Sequence, residues 1–101
     1  MEKFFLFSNV GRWWDKNEEI DLVAVNPEMN SILFGEVKWS NKPVAVNIFH
    51  ALKEKAGKVK WGDENRSEHF CLFSKSGFTG AMVKQASVEG VVLFIQDKLK
   101  T

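Results

Sequence analysis

The sequence predicts an α/β domain, a mixed β-sheet flanked by helices with the order β-β-β-α-β-α-β. Three observations carry that prediction. "EIDLVAVN" and "ILFGEVKW" read as two strands joined by the turn "NPEMNS". After "SNKP" the apolar spacing changes from twos to threes and fours. Two later apolar runs with few charges, "HFCLFSKSG" and "VVLFIQ", are separated by a short helical stretch.

Each element follows from its residues. From Phe4 to Trp14 apolar and aromatic side chains dominate, an extended segment in which Gly11 marks a bend or bulge. "DKNEE" is a polar turn. In the next strand Ile20, Leu22 and Ala24 face one way, while Glu19, Asp21, Val23 and Val25 face the other. Pro27 and two asparagines supply the chemistry of the second turn. The third strand closes an antiparallel meander. Ala45, Ile48, Phe49, Leu52, Ala56 and Val59 then form one face of an amphipathic helix, with Pro43 at its tolerated start. "TGAMVKQASVEG" is a short helix ended by Gly90, and "DKLKT" is a tail. The two crossovers predict helices on both faces of the sheet.

At 101 residues the chain is a single domain, residues 1–101. Nine Phe, four Trp and no Tyr predict a strongly aromatic core. The net charge of +1 does not mark a nucleic-acid binder, although a local basic patch is compatible with it. Cys71 is alone, which excludes an intramolecular disulfide and a cysteine-based zinc site. That single thiol fits a reducing, cytoplasmic setting; no stretch reaches the ~18 apolar residues of a membrane span, and the start of the sequence does not read as a signal peptide. The apolar strands also predict a tendency to form a homodimer.

Charges inside an apolar strand need a reason. Ile32, Phe34, Glu36 and Lys38 share one face of the third strand, with Glu36 and Lys38 about 6–7 Å apart. If strands two and three pair around a centred turn, Asp21 opposes Glu36 across roughly 4.5–5.5 Å between β-carbons. Two opposed carboxylates repel, and a divalent cation removes the conflict. Hard oxygen ligands suit Mg2+ or Mn2+, with water completing the coordination. One such water could act as the nucleophile, with Lys38 beside it and the phosphate, stabilising developing negative charge or orienting the nucleophile. The residues alone leave a second reading open: a cross-strand ion pair of Lys38 with Asp21 or Glu36.

At these residues the chain resembles the PD-(D/E)xK nuclease superfamily, on "EIDLVAVNPEMNSILFGEVKWS". "GRWWDKNEEIDLVAV" with "FGEVKW" is similar to the C-terminal nuclease-like domain of a group of archaeal ATPases and to archaeal Holliday junction resolvases. The resemblance implies a restriction-endonuclease-like fold and metal-dependent cleavage of DNA, branched or structured DNA included. It implies Asp21 and Glu36 as metal ligands, Lys38 as the catalytic lysine, and an attached ATPase domain as partner. Active members also carry a glutamate on a helix before the first strand. Glu2 is the upstream candidate here, and Glu19 a substitute on Asp21's face. A degenerate DNA-binding or protein-interaction module on the same fold is the alternative.

Arg12 and Lys16 flank "WWD" as candidate phosphate contacts. Trp13, Trp14 and Trp39 are expected mainly in the core, with stacking on unpaired bases as the functional alternative. Lys53, Lys55, Lys58 and Lys60 could track a DNA backbone from the helix. His50 on its polar face is a candidate neighbour of the metal. "SKSG" lacks the spacing of a phosphate-binding loop, which excludes an ATPase site in this chain.

Overall fold

The computed structural model describes residues 9–15, 18–96 and 98–100. Among the described residues, six strands form one sheet in sequential order: β1 (Asn9–Asp15), β2 (Glu18–Asn26), β3 (Ser31–Lys38), β4 (Ser67–Ser74), β5 (Val92–Ile95) and β6 (Lys98–Lys100). β1, β2 and β3 are antiparallel, β3, β4 and β5 parallel, and β5 and β6 antiparallel. The predicted mixed sheet is therefore present. The tail contributes one unforeseen strand, turned back at Gln96, whose φ is 52°. Helix α1 (Val46–Ala56) connects β3 to β4, and α2 (Gly80–Glu89) connects β4 to β5.

Turn chemistry sets the meander. The Asn26 side chain accepts from Met29 N–H at 3.2 Å, Pro27 opens a short 3-10 turn, and Asn30 takes the left-handed conformation. β2 and β3 then pair as a centred turn requires, from Asn26↔Ser31 to Leu22↔Gly35.

The apolar stripe of α1 is buried through Phe49, Leu52 and Ala56, and α2 is buried through Met82 and Ala86. Both helices pack into one cluster with Ile20, Ile32, Phe34 and Leu72. The Phe70 ring meets Phe49 edge-on and Phe34 in a stack, each at 5.6 Å between centroids. The second cluster is built by strand residues: Ala24, Leu33 and Cys71, with Leu22, Phe73, Val92 and Phe94 against them. The expectation of helices on both faces is thus corrected. The steps from β3 to β4 and from β4 to β5 run the same way across the sheet, so crossovers of the same hand lay both helices on the same face.

The start of α1 also differs from expectation. Residues 43–45 are not helical, because Val44 is held as a bridge to Phe78. Its N–H donates to Gly77 O at 2.8 Å and its carbonyl accepts from Thr79 N–H at 3.0 Å. Backbone groups spent there are unavailable to a helix.

Candidate active site

The alternation of β2 is broken by a bulge. Gly11 pairs with Val23 but Trp13 pairs with Ile20, so Arg12 stands opposite two residues, Asp21 and Leu22. One extra residue reverses the faces beyond it. Ile20 therefore joins Val23 and Val25 on the helix side, while Leu22 and Ala24 pack on the reverse side. The sequence placed Ile20 with Leu22 and Ala24, a correction that alternation alone cannot foresee.

Asp21 lies at this bulge, one step beyond the last β2–β3 pair. It does not continue the ladder opposite Glu36. Its Oδ2 accepts the Val37 N–H at 2.9 Å, which brings the carboxylate to the backbone between Glu36 and Lys38. The two strands separate here: β2 continues beside β1, while β3 runs on beside β4 to Lys38↔Ser74. The three predicted residues converge at the mouth of that divergence.

Glu36 points to the helix side, as Ile32 and Phe34 do, and is only 8% exposed. A carboxylate so removed from water needs counter-charge. Lys38 Nζ lies 3.7 Å from its Oε2, on a side chain that is 42% exposed. The nearer cation is Lys55 of α1, whose Nζ is 3.2 Å from Glu36 Oε1 and donates to the Glu19 carbonyl at 2.7 Å. The sequence alone offers Lys55 only as one of the helix lysines that could track a DNA backbone. The usable signal was its place: three residues after Leu52 and one before Ala56, at the border of the buried stripe.

Other candidates are distributed elsewhere. Glu19 enters through its main-chain carbonyl, and its side chain is exposed. Arg12 is an exposed strand neighbour of the bulge, on the rim of an open groove of about 300 Å³ also lined by Val10, Trp13 and Trp61. Lys16 and Glu2 lie outside the described residues. His50 is exposed on α1. Lys53 pairs with Glu89 at 2.9 Å and Lys58 with Glu18 at 2.6 Å, so the helix lysines are divided among carboxylates. Trp13 packs on the core, but Trp14 and Trp39 are each 67% exposed, against the expectation that two of the three are buried. Both occupy the end of the sheet that carries the site: Trp14 opposes Glu19, and Trp39 follows Lys38. Burial pushes the Cys71 thiol up to about 12, which leaves it neutral and unsuited to nucleophilic work.

Among the described residues no group of three or more His, Cys, Asp or Glu side chains gathers. Magnesium is commonly held by one or two carboxylates with waters and substrate phosphates, so the pair Asp21 and Glu36 fits that ion in donor type and number. It does not fit a metal that needs a full protein cage.

Among curated proteins, the uncharacterized protein MJECL04 of Methanocaldococcus jannaschii is 51% identical over 37 residues, which is 37% of this chain and 8% of that protein. The matched stretch is thus a small part of that relative. No solved structure matches significantly. Residues 2–69, which include β1 to β3 and α1, match the family DUF234, described as archaeal and bacterial proteins of unknown function. The chain belongs to that family.

Proposed function

We propose that this chain is a nuclease module of the PD-(D/E)xK type that hydrolyses phosphodiesters in DNA with Mg2+ or Mn2+. The observation that carries the reading is the Asp21 carboxylate on the Val37 N–H, beside Glu36 and Lys38 where β2 and β3 part. Asp21 and Glu36 are the ligands in this reading. A divalent ion held there supplies Lewis acidity at the phosphate and lowers the pKa of water at the reacting centre. Lys38, reaching solvent beside Glu36, holds an ammonium against the negative charge that develops on the phosphoryl oxygens. The wider reading is cytoplasmic, with an attached ATPase domain, branched or structured DNA as substrate, and self-association.

The test is cleavage of linear, flapped and branched DNA with magnesium. Asp21→Asn and Glu36→Gln are each expected to lower the rate by at least about 100-fold, since even outer-shell changes at metal sites cost 10–100-fold. The circular dichroism spectrum should stay unchanged. Cleavage that survives both substitutions sinks the reading.

One observation favours a non-catalytic binding module. Glu36 already has two ammonium groups within 4 Å, which is how a structural ion pair looks. Under that reading Asp21→Asn leaves DNA affinity unchanged and no DNA is cut.

A further inference from the structure

Lys55 is held more tightly than a surface lysine needs to be. Its side chain is 18% exposed, against 42% for Lys38, and its ammonium bridges two groups of different strands. One is the Glu36 carboxylate at 3.2 Å, the other the Glu19 carbonyl at 2.7 Å, two residues before Asp21. The helix beneath cannot retreat easily, because Leu52 and Ala56 on either side of Lys55 are fully buried. Only the flexible four-carbon stem can take the charge elsewhere. Any dication bound by Glu36 must therefore share that carboxylate with a fixed ammonium or expel it, and like charges repel.

We propose that Lys55 is the resident cation of this carboxylate site and competes with a divalent metal ion for Glu36. The inference rests on the reading of Asp21 and Glu36 as metal ligands, and adds that the chain weakens its own metal affinity. Displacement has a consequence. An ammonium turned out of the pocket needs a new anion, and a phosphate oxygen of the substrate is one. Metal and a phosphodiester then bind better together than either does alone.

The experiment is calorimetry with Mn2+ alone on the full chain and on Lys55→Gln, Lys55→Arg and Asp21→Asn. Lys55→Gln keeps a hydrogen-bond donor without the charge, and its Mn2+ affinity is expected to rise about ten-fold, the effect of one pK unit of electrostatic interaction. Lys55→Arg keeps the charge and should bind close to the unaltered chain. A readout independent of folding uses the unaltered chain: on titration with Mg2+, the Lys55 ammonium signal in nitrogen NMR should move, while that of Lys53 on Glu89 stays. Equal affinity in Lys55→Gln with an unmoved Lys55 signal overturns the proposal and leaves the nuclease reading standing. Tighter binding in Lys55→Gln with Asp21→Asn unaffected supports the competition and overturns Asp21 as a ligand. No heat of binding in any of the four overturns both.

Discussion

Arg66 holds more of the fold than its place in a polar loop announces. Its Nη1 donates to the carbonyls of Val59 and Trp61 at 2.7 Å each, and its Nη2 to that of Ala56 at 3.0 Å. Nε and Nη2 also reach Glu68, and the guanidinium lies over the Phe34 ring. A five-donor fork therefore closes the C-terminal end of α1 and the loop behind it. Arg66→Ala is expected to lower stability by about 3 kcal/mol in urea unfolding, through orphaned carbonyls and lost packing. Arg66→Lys should recover little of it, because an ammonium cannot span three carbonyls and a carboxylate from one position. At this scale Asp21, Glu36 and Lys38 were legible in the sequence, since they break an apolar pattern at close spacing. Lys55 and Arg66 were not. Their partners lie on other elements, and a lysine on a helix or an arginine in a loop breaks no pattern.

Among the elements, β3 is the one under the tightest constraint. Gly35 sits between the core residue Phe34 and Glu36, and a β-carbon there would lie 2.9 Å from Cys71 Sγ and 3.1 Å from Leu22 Cβ. Gly35→Ala is expected to destabilise by about 1–3 kcal/mol, as overpacking does. Adding Cys71→Ala should restore part of that, so the double variant falls short of the sum of the singles. Additive losses in chemical unfolding would show that the clash lies elsewhere. Leu22 is also the last β2 residue paired with β3 and adjoins Asp21, so the same close contact bears on where the site begins. The existence of β1 to β5 and of both helices, and the pairing of β2 with β3, followed from periodicity and turn residues, unlike β6 and the start of α1. The bulge did not. Alternation counts along one strand, whereas a bulge is a mismatch between two.

The whole molecule should respond to pH through His69 on β4. Burial lowers its pKa from the ordinary 6.5, so the native state prefers the neutral ring. As pH falls through 6.5 the unfolded chain takes up the proton first, and stability decreases. Asp63 and Glu89 act at lower pH. Asp63 is lowered by bonds from Asn30 and the Asn65 N–H, and Glu89 by bonds from Lys53 and Gln85. Their contribution is present above about 4–4.5 and lost below. The melting temperature is therefore expected to fall between pH 6.5 and 5, and His69→Gln should flatten that slope. An unchanged slope would assign the titration to another group.

By itself, the sequence determined the α/β class, the order of the central elements, the register of the β2–β3 hairpin, and three charged residues set in apolar strands. Each of these is local or nearly so, a matter of periodicity, turn chemistry and a short loop. Only the tertiary structure decided that both helices cover one face, that Asp21 sits on a bulge and binds the Val37 N–H, and that Lys55 completes the charge balance of Glu36. Those outcomes depend on the direction and hand of two crossovers, on the mismatch between two strands, and on a contact across 19 residues of chain. None of these leaves a periodic trace in the residues that take part.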